Sequence, residues 1–306
     1  MEWLLIDVSN LGWRAAYTTG DLDNGVLYGI LRQIPLLQDR FQTTRMAFCF
    51  DQGRPKRADL LPGYKAKKHD PDREQLRTEV RRQLHHLRER ILPRLGYRNV
   101  FGLDGYEADD VIAALTVQLG KDDANESVIV SSDADFWQLI TQQCKCYNPV
   151  KKETTDAELF RRLTGLYWPL DWISVKALAG CVSDSIRGIE GVGEATAIKY
   201  LKGELKRDSA AVKKIEKSKA LIQRNIDLVR LPFDAKCGPF ELVDDEISIK
   251  EWKALCKELN MPSLADQPPR GGKRSTGPRH GGRTVESKLF DGSGAGVISP
   301  RGNKDG

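Results

Sequence analysis

Eight acidic residues stand where an apolar segment ends or a helix begins, and their chemistry points to metal binding. They are Asp7, Asp51, Glu107, Asp109, Asp110, Asp133, Asp135 and Asp184. A carboxylate in such a place is costly unless it is paired or bound to a cation. Ligands that are all oxygen favour a hard ion such as Mg²⁺. Because hard divalent ions held by carboxylates hydrolyse phosphodiesters, this set predicts a metal-dependent phosphodiesterase.

Three short apolar segments, each ending in or near an aspartate, predict the strands that position these carboxylates. They are WLLIDV (3–8), MAFCFD (46–51) and SVIVSSD (127–133). Such continuous apolar runs are typical of parallel strands buried on both faces. Residues 28–41 and 106–120 predict helices between them. This alternation indicates a doubly wound α/β sheet, in which ligands bind at the carboxyl ends of the strands.

The spacing of the other acidic residues is consistent with one shared cleft. In DGYEADDVIA, Glu107 and Asp110 are three residues apart at a helix start and share a face, and Asp109 can reach the same cleft. Asp133 and Asp135 are two residues apart, so they face the same way in an extended chain. The last acidic residue of the set lies just before a Gly-x-Gly hairpin.

Charge is unevenly distributed along the chain. The net charge is +5, but residues 54–98 contain 14 Lys/Arg and 6 Asp/Glu, a net of +8, so the rest carries about −3. A basic stretch beside an acidic site indicates a polyanion that is gripped at one place and cut at another. A solvated helix face is the alternative interpretation of a charge run alone.

The pattern divides the chain into three parts. Residues 1–156 predict the α/β domain, with the basic segment at about 54–98. Residues 157–264 predict a helical subdomain, because short helical patterns alternate with Gly-rich turns. Residues 265–306 predict a disordered basic tail; from Asp266 onward, 41 residues include 10 Gly, 4 Pro and 8 Lys/Arg.

Several classes of protein are disfavoured. Apolar runs fall short of the ~20 residues of a membrane helix, and the start MEWLLIDVSN is not typical of a secretory signal. The six cysteines lack a disulfide framework, and the lone C-x-C at Cys144 and Cys146 does not form a zinc pattern. These observations favour a cytoplasmic protein without membrane contact.

Five motifs follow one another in the order and spacing of a known family. They are LLIDVSN, FDQGRPKRADLLPGYKAKK, DGYEADDVIA, VSSDADFWQL and GCVSDSIRGIEGVGEATA. With them, residues 1 to about 260 resemble the 5′-nuclease family: the 5′→3′ exonuclease domain of bacterial DNA polymerase I, the phage 5′-exonucleases and the flap endonucleases. One motif alone would be a weak signal, whereas five together are specific.

The resemblance implies a PIN-like nuclease domain, a helical arch and a helix-three-turn-helix, with two Mg²⁺ ions for which Mn²⁺ may substitute. The ligands implied for the first ion are Asp7, Asp51, Glu107, Asp109 and Asp110. Those implied for the second are Asp133, Asp135 and Asp184. Such ions would activate a water, position the scissile phosphate and stabilise the leaving oxygen.

The basic arch also matches the family. Arg57, Tyr64, Lys65 and Lys68 fit its Arg…Tyr-Lys-x-x-Arg pattern, with Lys68 in place of the last arginine. The resemblance implies that Lys65 contacts the scissile phosphate and that Tyr64 stacks on a base near the cut. Packing at the base of the arch is the alternative for Tyr64.

The Gly-rich hairpin implies contact with duplex DNA. Gly188, Gly191 and Gly193 would let backbone amides approach phosphates at a helix start, with a K⁺ ion nearby. Lys199 on the following helix supports phosphate contact. For three turn glycines alone, a plain helical hairpin is the alternative.

The fifth motif departs from the family pattern Gly-Asp-x-x-Asp-Asn. Here Cys181 replaces the first aspartate and Ser185 replaces the asparagine. A neutral thiol is a poor Mg²⁺ ligand, so the sequence predicts a complete first site and a second site that lacks one ligand. Mn²⁺ should tolerate such a site better.

These observations predict a Mg²⁺-dependent, structure-specific 5′ nuclease in DNA replication. Its expected substrates are DNA with 5′ flaps, nicks or RNA primers. We expect a monomer in a bacterial or phage-infected cell, with the tail contacting a replication protein. Three alternatives stay open: a purely endonucleolytic flap enzyme, a catalytically weak flap- or junction-binding protein, and a PIN-type RNase. Cys181 favours the second, Lys65 and the first-site carboxylates disfavour it, and the hairpin disfavours the third.

Overall fold

A computed structural model describes residues 1–19, 23–66 and 70–271 of the protein. Most of the predicted tail, from residue 272 onward, lies outside the described residues, as does the protein contact expected of it. The described residues extend beyond the predicted end of the folded part. Near their end, Arg270 donates hydrogen bonds to Gln38, Asp39 and Gln42, at the end of a helix.

A six-stranded sheet forms the centre of the molecule, in the order β3-β2-β1-β4-β5-β6. The strands are β1 (Glu2–Asp7), β2 (Met46–Cys49), β3 (Val100–Phe101), β4 (Glu126–Val130), β5 (Cys144–Asn148) and β6 (Glu153–Thr155). All neighbours are parallel except β5 and β6. Leu5 pairs with Ala47 on one side and with Ile129 on the other, so the carboxyl ends of β1, β2 and β4 lie level. This confirms the predicted α/β fold with a mostly parallel sheet.

Helices cover both faces of the sheet. In the first half of the chain they are α1 (Val8–Thr19), α2 (Gly25–Phe41), α3 (Arg57–Leu60), α4 (Pro71–His86), α5 (Leu92–Leu95) and α6 (Ala108–Leu119). In the second half they are α7 (Ala157–Thr164), α8 (Trp172–Ala179), α9 (Glu194–Leu201), α10 (Ala210–Lys217), α11 (Lys219–Val229), α12 (Ile249–Glu258) and α13 (Pro262–Ala265). Short 3₁₀ turns span Ala134–Leu139 and Pro169–Asp171.

Two hydrophobic cores lie on opposite faces of the sheet. Leu5 and Ile129 face a core that continues into α8, α9 and α11, so the helical region packs directly on the central sheet. Leu4 and Val128 face the other core, which includes side chains of α1, α2 and α12. Both faces of the central strands are covered, which agrees with the mainly apolar segments from which the sequence predicts them.

The structure differs from the predicted elements in two ways. The apolar spacing of residues 72–95 predicts one basic helix with a narrow apolar stripe, whereas in the structure a π-helical turn, Leu87–Ile91, interrupts it just before Pro93. Proline lacks an N–H and its ring crowds the preceding turn, which accounts for the irregular hydrogen bonding there. Strands β3, β5 and β6 were not predicted, because β3 has two residues and β5 mixes polar with apolar side chains.

A small hairpin after α8 carries the fifth motif. Strands β7 (Gly180–Cys181) and β8 (Ile186–Arg187) pair antiparallel and enclose the loop that contains Asp184. Gly188 follows this hairpin, and a Cβ there would lie 2.1 Å from the carbonyl oxygen of Ala179. A larger residue would therefore push the hairpin away from α8.

The basic segment is tied to this hairpin through the main chain. The amide of Lys65 donates to the carbonyl of Asp184 at 2.9 Å, and the Ser185 hydroxyl lies 3.3 Å from the carbonyl of Ala66. Lys65 and Ser185 both have left-handed backbones, with φ of 50° and 61°. Such a conformation costs about 1–2 kcal/mol for residues other than Gly and sometimes Asn.

Replacing Ser185 by asparagine should stabilise the protein. Asparagine tolerates the left-handed region, so Ser185→Asn should recover about 1 kcal/mol of backbone strain. Thermal unfolding of the full chain should then shift upward by about 2 °C. Ser185→Ala is the matched control, because it removes the hydroxyl and keeps the strain. An equal midpoint for Ser185→Asn and Ser185→Ala would contradict the assignment of strain.

Candidate active site

Seven of the eight predicted carboxylates meet at the carboxyl edge of the sheet. Three lie at or just after the carboxyl ends of strands β1, β2 and β4, and two lie at the start of α6. One lies in the 3₁₀ turn after β4 and one in the β7–β8 hairpin. In chain order they are Asp7, Asp51, Glu107, Asp109, Asp133, Asp135 and Asp184. Electrostatic repulsion links them: Asp109 interacts with Asp7, Asp133 and Glu107, and Asp135 with Asp133 and Asp184. The parallel topology thus brings residues from five segments together.

Asp7 lies at the centre of this cluster. It is 3% exposed and accepts hydrogen bonds from the Asn10 amide at 2.9 Å and the Ser131 hydroxyl at 2.8 Å. Burial, with repulsion from Asp51 and Asp133, raises its pKa to about 7 against the effect of these hydrogen bonds. Sequence reasoning missed the supports Asn10 and Ser131, although both are polar residues directly after a buried strand.

Asp7, Asp51, Glu107, Asp109 and Asp133, called the first cluster, offer only oxygen ligands and so fit a hard divalent cation. Burial raises the pKa of Asp109 well above its usual value, and repulsion from Asp7 adds to the effect. The Asp51 carboxylate accepts from the amide of Ala108 at 2.8 Å and so stands at the start of α6. Buried carboxylates with raised pKa values bind a cation favourably, because the cation removes their repulsion.

Asp110 and Arg57 form a buried pair behind the cluster. Arg57 is 3% exposed and Asp110 is fully buried, and the guanidinium grips both carboxylate oxygens at 2.6 and 2.8 Å. Its other contacts are Glu107 and the carbonyls of Leu228 and Arg230, so all five N–H donors have acceptors. The sequence predicts Asp110 as a metal ligand and Arg57 as a catalytic residue of the arch. Their buried pairing favours instead a structural role, in which Arg57 joins α3 to α6 and to the end of α11.

Glu107 interacts with two side chains of the basic segment, Tyr64 and Lys65. The Tyr64 hydroxyl donates to it at 2.7 Å, and the Lys65 ammonium contacts its other oxygen. Lys65 also lies 3.6 Å from the Asp184 carboxylate, with its side chain 37% exposed. Burial opposes the charge of Lys65, but the Glu107 carboxylate outweighs it and raises its pKa. Lys68 lies outside the described residues.

A second group of possible ligands, called the second cluster, contains the thiol of Cys181 beside two carboxylates. Ligand atoms of Asp135, Cys181 and Asp184 lie within 4.8 Å of one another. The Cys181 sulfur is 3.3 Å from Asp184 and 3.0 Å from the hydroxyl of Ser183. Burial, with repulsion from Asp184, raises the pKa of the Cys181 thiol to about 11. At neutral pH the thiol therefore donates a hydrogen bond to Asp184.

Lys176 is a functional candidate that sequence reasoning missed. Its ammonium lies 2.9 Å from Asp135 and 3.2 Å from Glu194, the first residue of α9. The available signal was a single lysine in the otherwise apolar helix WISVKALA, five residues before Cys181. Two carboxylates, a neutral thiol and an ammonium are a poor donor set for a second Mg²⁺.

The predicted DNA-binding glycines have separate environments. Gly191, with φ of 79°, and Gly193, the N-cap of α9, are exposed. Lys199 is exposed on α9, and Lys214, whose ammonium donates to the carbonyl of Glu190, borders the same turn. Gly188 packs against α8 instead, so its requirement for glycine has a structural cause.

A membrane-spanning helix is absent from the described part of the chain. Crowded carboxylates with raised pKa values make the metal-free protein sensitive to pH, and the direction of that sensitivity follows from the pKa shifts.

Without divalent ions, the protein should become less stable as pH rises from about 4 to about 7. The pKa of Asp7 is about 7 and that of Asp135 about 6 when folded, against about 3.9 when unfolded. The folded state then binds more protons, so raising pH removes stability through this window. Thermal unfolding in chelator between pH 5 and 8 measures the trend, which Mg²⁺ should reduce at pH 8. Asp7→Asn should flatten it; an unchanged trend would contradict the role of Asp7.

Comparison with known proteins identifies the family. The chain matches the family model "5′-3′ exonuclease, N-terminal resolvase-like domain" over residues 2–164. It is 32% identical to the 5′-3′ exonuclease of Bacillus subtilis (strain 168) over 222 residues, which covers 65% of this chain and 69% of that protein. It is 28% identical to DNA polymerase I of Bacillus caldotenax over 290 residues, 86% of this chain, but spans only 32% of that protein.

Solved structures show the same fold. T5 5′-exonuclease with bound zinc superposes with a TM-score of 0.67 at 20% identity, covering 87% of this chain and 97% of that one. The catalytic core of Rad2 in complex with DNA substrate (complex III) superposes with a TM-score of 0.55 at 19% identity, covering 87% of this chain and 90% of that one. Together with the family model and the Bacillus subtilis relative, the carboxylate-edged sheet leads to one conclusion: the chain belongs to the 5′–3′ exonuclease family.

Proposed function

We propose that this protein is a metal-dependent, structure-specific 5′ nuclease that hydrolyses DNA phosphodiesters. The observation that carries the proposal is the meeting of seven carboxylates at one sheet edge with Lys65 in contact with Glu107. The protein would act as a 5′→3′ exonuclease and 5′-flap endonuclease on flaps, nicks and RNA primers. The names of its relatives support this reaction, and the DNA polymerase I relatives, of which the chain spans about a third, support a role in replication.

A divalent ion, Mg²⁺ with Mn²⁺ as a substitute, would bind the first cluster. The ligands we propose are Asp7, Asp51, Glu107, Asp109 and Asp133. When bound, the ion would lower the pKa of a water and offset charge on the scissile phosphate. Divalent ions bound to T5 5′-exonuclease support this assignment. A second ion would depend on Asp135 and Asp184, beside which Cys181 supplies no third carboxylate.

Lys65 would act on the substrate directly. A cluster of carboxylates repels a phosphodiester, so a cation must accompany the phosphate into the site. Lys65 is already there, is partly exposed, and can exchange its contact with Glu107 for one with the phosphate. Tyr64 fixes the other oxygen of Glu107 and would present its ring to a base near the cut.

The exposed turn before α9 would hold the duplex. Gly191 and Gly193 leave the main chain accessible, and the amides at the start of α9 would be available to a phosphate. Lys214 adds positive charge beside this turn, and Lys199 is an exposed cation on α9. A K⁺ ion held by this turn belongs to the same proposal.

A second candidate function is a catalytically weak flap- or junction-binding protein. The observation that favours it is the second cluster, in which a thiol and Lys176 stand beside only two carboxylates. The intact first cluster and Lys65 favour catalysis instead. DNA cleavage, measured together with DNA binding, separates the two functions.

Cleavage of a 5′-flap duplex should require a divalent ion. End-labelled flap, nicked, blunt and RNA–DNA substrates should be cut near the junction or 5′ end with Mg²⁺ or Mn²⁺ and should stay intact in chelator. Asp7→Asn should abolish cleavage and leave flap binding, because it removes a central carboxylate and keeps the shape. Cleavage that survives chelation, or that proceeds only from 3′ ends, would overturn the proposal.

Lys65 and Lys199 should affect different steps. Lys65→Ala should slow single-turnover cleavage by about 10²-fold or more, the scale of one lost transition-state contact. Lys199→Ala should weaken binding and lower its salt dependence by about one phosphate contact. Lys257→Ala, an exposed change on α12, is the control for lost charge. If Lys65→Ala changes only binding, its assignment is wrong.

A further inference from the structure

Lys176 is held as a fixed cation inside the acidic site. Its side chain is only 12% exposed, and its ammonium lies 2.9 Å from Asp135 and 3.2 Å from Glu194. The ring of Trp172, one turn earlier on α8, lies 5.9 Å from the ammonium. A lysine is rarely buried to this extent unless it is paired. Here the ammonium is paired with two carboxylates, those of Asp135 and Glu194.

The carboxylate that Lys176 contacts is one on which a second metal ion would depend. Asp135 has an ammonium against one oxygen, and the other lies 4.0 Å from the Cys181 sulfur. Asp184 accepts from that thiol at 3.3 Å and has the Lys65 ammonium at 3.6 Å. The two carboxylates therefore already have two cations and a neutral thiol as neighbours.

This arrangement opposes a second hard dication. Mg²⁺ needs oxygen ligands in nearly octahedral geometry and dehydrates reluctantly, and the thiol supplies neither charge nor a hard donor. An ion bound to Asp135 would also be repelled by the Lys176 ammonium on the same carboxylate. Glu194 holds Lys176 from the opposite side, so the ammonium cannot withdraw without losing that partner as well.

We propose that Lys176 takes the place of the second cation, so that the protein works with one tightly bound divalent ion. The inference rests on the proposed function. Lys176 is a positioning residue: it orients Asp135, whose amide donates to the Asp133 carboxylate at 2.8 Å in the first cluster. Through Glu194 it also joins the start of α9, the turn proposed to hold the duplex, to the acidic site. The Cys181 thiol and the Lys176 ammonium would then together replace the carboxylate and the cation of a second metal site.

Counting bound ions tests this directly. Mn²⁺ is titrated into the metal-free full-length chain, and free Mn²⁺ is followed by electron paramagnetic resonance. Wild type should bind one ion tightly. The double variant Lys176→Met/Cys181→Asp should bind two, because it removes the competing cation and restores a carboxylate. Cys181→Asp alone should strengthen the second ion less. Lys176→Arg keeps the charge and should bind one ion, as should the exposed control Lys213→Met.

A further readout separates this role from a merely structural one. The Mg²⁺ dependence of single-turnover cleavage should have a Hill slope of about 1 in wild type and should steepen toward about 2 in the double variant, as expected for two bound ions. Thermal unfolding of each variant identifies any that fails to fold, and Lys176→Arg provides the folded comparison.

Each outcome decides the inference. Two tightly bound ions in wild type would overturn it. A single ion in the folded double variant would overturn it too, because Lys176 would then not be what excludes the second ion. Asp7→Asn should remove the single wild-type ion. Wild type that binds no ion would contradict the proposed function along with this inference, whereas two ions would contradict the inference alone.

Discussion

Repulsion among carboxylates crowded at one sheet edge is the constraint on which the rest of the site depends. The parallel register sets the ends of β1, β2 and β4 level, so their aspartates cannot move apart without disrupting the buried sheet. Burial, with repulsion from Asp51 and Asp133, raises the pKa of Asp7 to about 7, so the fold opposes the charge of this central carboxylate. Cations must therefore be supplied from outside the sheet.

The chain supplies those cations from three different segments. Arg57 neutralises Asp110 behind the cluster, Lys65 contacts Glu107 in front of it, and Lys176 contacts Asp135 at the side. Their exposure differs according to their roles. Arg57 is buried with every donor satisfied, whereas the Lys65 side chain is 37% exposed, as its proposed contact with a phosphate requires. Lys176 has an intermediate exposure and is paired with two carboxylates at the side of the acidic site.

The sequence predicted the sheet and its acidic edge because both depend on local signals. Apolar runs that end in aspartate define the strands, and strand ends in a parallel sheet meet at one edge. The burial of Arg57 and the contact of Lys176 with Asp135 depend on packing between segments far apart in the chain, so spacing could not indicate them. Helical spacing placed Glu107 and Asp110 on one face, but it could not indicate that both oxygens of Asp110 accept hydrogen bonds from Arg57. The left-handed backbone of Ser185 likewise follows from a tertiary contact.

The hydrogen bond between the Lys65 amide and the Asp184 carbonyl involves no side chain. Amino-acid replacement at either position therefore leaves it in place, as long as the new residue is not proline at position 65. Side chains of the hairpin can therefore change without moving it. A cysteine at position 181 and a serine at position 185 are compatible with the same spacing between the hairpin and the basic segment. The main chain preserves the shape of the site, and selection can then alter its ligands one at a time.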